Sequence, residues 1–414
     1  MMSRPLFLLP ALALYCCTAQ ETPVRQLSQR SDVRHALELA RAHEAQTIER
    51  QVALCEVPAP PFEEKQRAEA YRRMFIELGL RNVRIDAEGN VLGERPGRRP
   101  RPHVVLSAHL DTVFPPGTAV RVSREGAVLK GPGIADDCRG LAVVAAVARA
   151  AQEARVTTEG TITFAGTVGE EGLGDLRGVK RLFQETLKGT VDAFLSVDGT
   201  GLGVTNVGVG SYRYRVTFRG PGGHSFGAFG LANPLHALGR AIAKISDFQV
   251  PANPKTTFNV GRVGGGTSVN AIPFEVWMEV DMRSSDRAAL QSLDERFHAA
   301  VDRALDEENR RAADKGTLTV EKKLVGSRPA GRVAESAPIV ARAKAVSQAL
   351  GLPFTLREGS TDANIPMSLG IPALTIGGGG TGSGAHSLGE TFNTTDAWQG
   401  TARALLLAVT LAHQ

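Results

Sequence analysis

Cysteine is scarce in this chain. Four occur in 414 residues, and two of them, Cys16 and Cys17, fall within the first twenty. The remaining pair, Cys55 and Cys138, is too small a set for a disulfide framework. Aromatic residues make up only 5% of the chain, and no basic stripe is interleaved with them. The formal net charge of +5 is modest for this length, and helical stretches such as DERFHAAVDRALDEENRR mix both signs. That pattern argues against a nucleic-acid partner. There is no internal repeat, no low-complexity tract beyond residues 377–380, and no apolar run long enough to span a bilayer. What remains, 42% hydrophobic and 22% charged residues over 414 positions, fits a soluble globular protein of two or three domains.

The first residues differ from the rest. Arg4 precedes an apolar run at residues 6–17, and small residues close it at Thr18 and Ala19 before the polar Gln20 and Glu21. This is the layout of a secretory signal, with residues 1–19 removed on export to a periplasm or beyond. Lipidation at Cys16 or Cys17 is the less favoured alternative, because Tyr15 suits it poorly.

Beyond that leader the chain alternates helical and strand patterns. Residues 32–54 carry spaced apolar positions and predict a helix, broken by the proline cluster at 58–61. A second helix is expected over 63–80 and short strands near 83–85 and 91–94. HVVLSA, TITFAGTVG and AFLSV are continuous apolar strands of the kind buried on both faces. A helix over 139–154 and another over 175–186 complete an α/β pattern. From Ser211 the pattern changes, because YRYRVTFR alternates cleanly and reads as half-buried. Strand, helix, strand, strand, helix, strand follow in the β-α-β-β-α-β order of a ferredoxin-like unit. The α/β character returns with a helix at 336–350, a strand at 373–376 and a closing helix at 395–412. The expected division is a catalytic domain at 28–210 and 326–414, with an inserted domain at 211–325.

Acidic residues and histidines gather where the buried strands end. His109 and Asp111 follow HVVLSA, and Asp136-Asp137 follows a Gly-Pro-Gly turn. Glu170-Glu171 follows TITFAGTVG, Asp198 follows AFLSV, and His386 lies in a glycine-rich loop after PALTI. Open α/β sheets build their ligand sites at the carboxyl ends of strands. Carboxylates and imidazoles there suit zinc, and near a core they need a cation or hydrogen bonds to compensate them. Each group has a bland reading by itself: a turn, a helix cap for Asp136 and Asp137, an exposed acidic loop. Their convergence points instead to a two-metal hydrolase. In that reading Asp136 bridges, and one glutamate of the Glu170-Glu171 pair takes a proton from water while the other holds metal.

These same segments carry a family resemblance. HLDTV, GPGIADD, GEEGLGD, SVDGT, GPGGHS, GTSVNAIP and GSGAHSLGE resemble the co-catalytic zinc metallopeptidases. That family includes aminoacylases, glutamate carboxypeptidases, succinyl-diaminopimelate desuccinylase and tripeptide aminopeptidase. GIADD, GSTDAN and AHSLGE are nearest the peptidase T-like branch. The resemblance runs from about residue 52 to 411. It implies an α/β catalytic domain on a mixed sheet, with an inserted ferredoxin-like lid and dimerisation domain. It implies two Zn2+, with Co2+ or Mn2+ as substitutes. His109, Asp136 and Asp198 would hold one ion, and Asp136, Glu171 and His386 the other. Glu170 would be the general base, and Asp111 would orient His109. His224 would stabilise the oxyanion in a partner subunit, making the enzyme a homodimer. Asn270 and Arg283 would bind the substrate's terminal carboxylate.

The activity so implied is exopeptidase cleavage of di- or tripeptides. An N-acyl amino-acid amidohydrolase uses the same chemistry, and a non-catalytic zinc- or peptide-binding protein would use the same scaffold. Glu170 argues against the last, since binding alone requires no carboxylate beside the ligands. Two departures stand out. Cys138-Arg139-Gly140 replaces the family's usual lysine and glycine after the bridging aspartate, placing a thiol near the metals. Glu358-Gly359-Ser360-Thr361-Asp362 replaces an arginine-containing stretch, which loosens the link to tripeptide specificity.

Overall fold

The computed structural model describes residues 23–413, so the expected leader at 1–19 lies outside the described residues. The chain divides into two compact units. Among the described residues one takes in 23–208 and 332–413, and the other is Val209–Gly331.

The larger unit is built on a mixed sheet. Its strands run in the order Arg81–Ile85, Val91–Arg95, Thr161–Thr167, His103–His109, Ala193–Val197, Ala373–Ile376, Gly203–Gly208, and Thr355–Gly359 pairs with the last of these. His103–His109 lies parallel to both of its neighbours, and Ala373–Ile376 parallel to Ala193–Val197. Val91–Arg95 is antiparallel to both of its neighbours, Arg81–Ile85 and Thr161–Thr167, and Gly203–Gly208 is antiparallel to Ala373–Ile376. The central strands are buried along almost their whole length, as continuous apolar runs require. Helix Cys138–Glu153, rich in alanine and valine, packs on three of these strands and against the buried closing helix Trp398–Leu411. The side chains between sheet and helices form one core that includes Leu106, Phe164, Phe194, Leu374 and Leu406.

The predicted helix over 32–54 is two helices, Ser31–Ala42 and Glu44–Cys55, divided at His43. The first buries Val33, Ala36 and Ala40; the second buries Thr47, Ile48, Gln51, Leu54 and Cys55. No buried position falls between Ala40 and Thr47, so the helical stripe is interrupted there and the chain turns. The helix expected at 175–186 is a short one, Arg177–Arg181, that widens into a π turn at Leu182–Thr186.

A small antiparallel sheet has no counterpart in the sequence pattern. Thr381–Ser383, Thr391–Asn393, Val128–Lys130 and Ser123–Glu125 pair in that order. It fastens the loop carrying His386 beside the loop carrying Asp136.

In the second unit, Gly210–Arg219, Pro234–Ser246, Thr256–Gly265, Glu275–Ser284, Arg287–Ala312 and Thr319–Arg328 follow one another as β-α-β-β-α-β. The strands form an antiparallel sheet in the order Thr256–Gly265, Glu275–Ser284, Gly210–Arg219, Thr319–Arg328. Burial alternates along Glu275–Ser284, because one face meets the two helices through Val276, Met278, Val280, Leu238 and Phe297. Asn233 and Asp286 cap the two helices by accepting the N–H groups of Leu235 and Ala289.

Candidate metal centre

His109 closes the strand His103–His109 and is almost fully buried. Its backbone N–H donates to Asp137 Oδ2 at 3.1 Å, and its Nδ1 donates to the Asp111 carbonyl at 3.0 Å. This pair of bonds sets the ring and leaves Nε2 facing Asp136 Oδ1 at 3.0 Å. The main chain of Asp111 thus orients His109 more closely than its carboxylate, which stands 3.6 Å from Nδ1. That carboxylate accepts the N–H groups of Glu170 at 3.0 Å and Glu171 at 2.8 Å. One buried aspartate therefore ties the histidine turn to the glutamate loop.

Asp137 caps helix Cys138–Glu153 through the Gly140 N–H. A Cβ on Gly140 would fall 2.3 Å from Asp137 Oδ1 and 2.4 Å from the Val197 carbonyl, so only glycine lets the helix start lie this close to the strand. Asp136 is left to face the cluster. Its loop is held by Glu390, whose buried carboxylate accepts the N–H groups of Gly133, Ala135 and Asp136 at 2.7–2.9 Å. Asp198 follows strand Ala193–Val197, and its N–H donates to the Ile376 carbonyl. His386 has a positive φ of 66°, an uncommon backbone for a non-glycine residue and one often retained at functional positions. Its Nε2 stands 3.1 Å from Asp136 Oδ2 and 3.0 Å from Glu171 Oε1.

The donors fall into three groups, each with its atoms within 4.8 Å of one another: His109, Asp136 and Asp198; Asp136, Glu171 and His386; and His109, Glu170 and Glu171. Asp136 belongs to the first two, with one carboxylate oxygen toward each histidine. All five residues expected to ligate metal, and Glu170 with them, are thus gathered at one place.

The electrostatics are those of crowded carboxylates. Burial, and then the negative charge of Asp136, pushes the Asp198 carboxyl up to about 7. Burial works to lower the pKa of His109, but Asp111 and Asp136 outweigh it and hold the imidazole well above its ordinary range. Hydrogen bonds to Asp136 and Glu171 raise His386 to about 10. Burial alone would raise Asp136, yet the two histidines bring it below the usual carboxylate range. Oxygen and nitrogen donors of this kind, with more negative charge than two imidazoles balance, fit divalent cations.

Several contributors carried no local signal. Asp362 is buried and accepts the Thr167 hydroxyl at 2.5 Å, and its charge helps raise Asp198. Arg139, fully buried, donates to the carbonyls of Gly378 and Ala397 and pairs with Glu44. Arg403 donates to Gly203 and Gly377. The motif AHSLGE contained Glu390 and GSTDAN contained Asp362, but neither role is visible without the fold. Cys138 does not join the donor groups. It is buried with Cys55 in an apolar cluster that also holds Ile48, Leu129 and Phe392.

In the second unit, His224 lies on a short strand paired with Ala271–Ile272, and the Ser225 N–H donates to the Asn270 carbonyl. His224 is exposed, and its Nδ1 accepts the N–H groups of Phe226 and Gly227. The Asn270 side chain accepts the Ser268 hydroxyl. Arg283 lies apart on the strand Glu275–Ser284, where Asp281 engages its guanidinium at 2.7 Å.

Residues 105–410 match peptidase family M20/M25/M40. YqjE of Bacillus subtilis, an uncharacterised protein, is 25% identical over 353 residues, which is 81% of this chain and 90% of YqjE. The aminopeptidase PepT of Bacillus cereus superposes with a TM-score of 0.70 at 22% identity, covering 89% of this chain and 98% of that one. YxeP of Bacillus subtilis, a dinuclear metal-binding peptidase of the M20 family, superposes with a TM-score of 0.64 at 18% identity, covering 90% and 98%. The mixed α/β fold is that of these peptidases, and the donor cluster together with the family match supports a metal cofactor.

The expected export is corrected here. The leader lies outside the described residues, and the similarity to PepT and to the Staphylococcus aureus tripeptidase lends no support to export. The chain is therefore not assigned to a periplasmic or secreted location. Among the described residues no helix is long and apolar enough to cross a membrane.

Proposed function

The chain belongs to peptidase family M20/M25/M40 and is a hydrolase, and from that footing we propose that it is a two-metal exopeptidase of short peptides. The observation that carries this reading is the sharing of Asp136 between two donor groups, with Glu170 beside His109 and Glu171. His109, Asp136 and Asp198 would hold one ion, and Asp136, Glu171 and His386 the other, with zinc the best match to the donor set. Bound at such a centre, the ions supply Lewis acidity toward the scissile carbonyl and acidify the attacking water.

The protein's own residues do the rest. Glu170, not needed as a ligand in either group, takes the proton of the attacking water and passes it to the leaving amine. Asp111 keeps Glu170 and Glu171 in place through their amides, and Glu390 does the same for Asp136. For His224, Asn270 and Arg283 the proposal rests on the sequence resemblance alone. His224 would stabilise the oxyanion in a second copy of the chain, and the other two would recognise a substrate carboxylate.

The test is Glu170→Gln assayed on di- and tripeptides beside N-acyl amino acids, with metal content measured. Turnover should fall by about 100- to 10,000-fold with metal retained. Undiminished turnover would remove Glu170 from the chemistry. Preference for acylated substrates would move the assignment to an amidohydrolase.

A further inference from the structure

A cavity of about 480 Å³ opens in the larger unit at the amino-terminal ends of three strands of its sheet. Pro102, Asp192 and Pro372 in its wall stand just before His103–His109, Ala193–Val197 and Ala373–Ile376. The metal-binding donors occupy the other ends of these strands, where His109 closes one and Asp198 follows another. A seven-residue strand separates the two places by roughly 20 Å.

The wall is largely apolar and includes Val333, Ile339, Met367, Ile371 and Leu411. Arg342, on helix Pro338–Ala349, lines it half-buried and also borders a neighbouring hollow beside Arg30 and His413. Among the described residues its guanidinium has neither a hydrogen-bond nor an ion-pair partner, and burial lowers its pKa. A wall arginine that no protein carboxylate engages can take a ligand carboxylate through charge-assisted hydrogen bonds. Asp192, the carboxylate in this wall, cannot serve, because Arg101 and the His103 N–H already engage it. The second arginine of the wall, Arg332, is mostly exposed and stands 3.9 Å from Glu358.

We propose that this cavity binds a monocarboxylate carrying an apolar chain, with the carboxylate on Arg342 and the chain against Met367, Ile371 and Leu411. A cavity of this size suits a small molecule. Fatty acids and apolar amino acids share the chemistry. The wall offers no free carboxylate to an ammonium group, which favours the fatty acid.

The experiment is isothermal titration of the metal-loaded full chain with octanoate, octylamine and leucine, repeated on Arg342→Gln and on Ala337→Trp, which fills the cavity. Peptide hydrolysis by both variants is measured alongside as a check of folding. Octanoate should bind the unmodified protein, at least about tenfold more weakly to Arg342→Gln, and poorly to Ala337→Trp. Octylamine should not bind. Leucine binding that depends on Arg342 would support the site and assign the amino-acid source. Octanoate binding equally to protein and variants, as coordination at the metal centre would give, overturns the proposal. So does equal binding of octylamine, or no binding of octanoate or leucine.

Discussion

The Asp111 carboxylate accepts the backbone N–H of Glu171 at 2.8 Å, across 60 residues of sequence. It does so from full burial, and a second bond goes to Glu170. Asp111 is therefore the fastener between the strand that delivers His109 and the loop that delivers both glutamates. Asp111→Asn, which sets an amide N–H against a backbone N–H, should lower kcat by about 100-fold, the penalty expected for a small misplacement of catalytic groups. KM should change little. Steady-state kinetics with metal content measured in parallel checks this; unchanged kcat would show that the loop holds itself.

Glu390 does the corresponding work for the Asp136 loop. Glu390→Gln keeps the shape but leaves one oxygen for three N–H donors and sets an amide N–H against at least one of them. A loss of about 2 kcal/mol in the stability of the metal-free protein is expected, together with weaker metal retention. Urea unfolding and equilibrium dialysis report the two effects separately.

Arg139 ties the His386 side of the site to the N-terminal helices, through the Gly378 and Ala397 carbonyls and Glu44. Arg139→Met would strand a largely buried carboxylate and two carbonyls, at a cost of about 3–5 kcal/mol. Adding Glu44→Gln should recover part of that loss. A double variant no more stable than the single one would show that the carbonyls, and not the ion pair, account for the cost.

Metal uptake should release protons at neutral pH. In the metal-free protein His386 is raised to about 10 and Asp198 to about 7. At pH 7 His386 is therefore protonated and Asp198 about half so, whereas both must be deprotonated to ligate. Metal affinity should accordingly rise with pH across the range from 6 to 8. Titrating zinc in buffers of different ionisation enthalpy measures the release directly, and a buffer-independent heat would contradict it.

The sequence makes some of this architecture legible and hides the rest for physical reasons. HVVLSA, TITFAGT and AFLSV stand out because strands covered on both faces need unbroken apolar runs, and the polar residues ending them stand out by contrast. The strands of the small sheet do not, since three residues carry no period. The single helix expected over 32–54 contains neither glycine nor proline at His43, and only the gap in buried positions marks the turn. Residue types and their order suggested the donors. The roles of Asp111 and Glu390 rest on bonds to loops 60 and 255 residues away, which no local pattern records.

Most direct is a count of bound metal per chain in the native protein and in Asp136→Ala, by elemental analysis after dialysis against limiting zinc. The account predicts about two equivalents in the native protein and a substantial loss at both positions when the shared carboxylate is removed. One equivalent in the native protein, or two retained by the variant, would contradict a bridging Asp136.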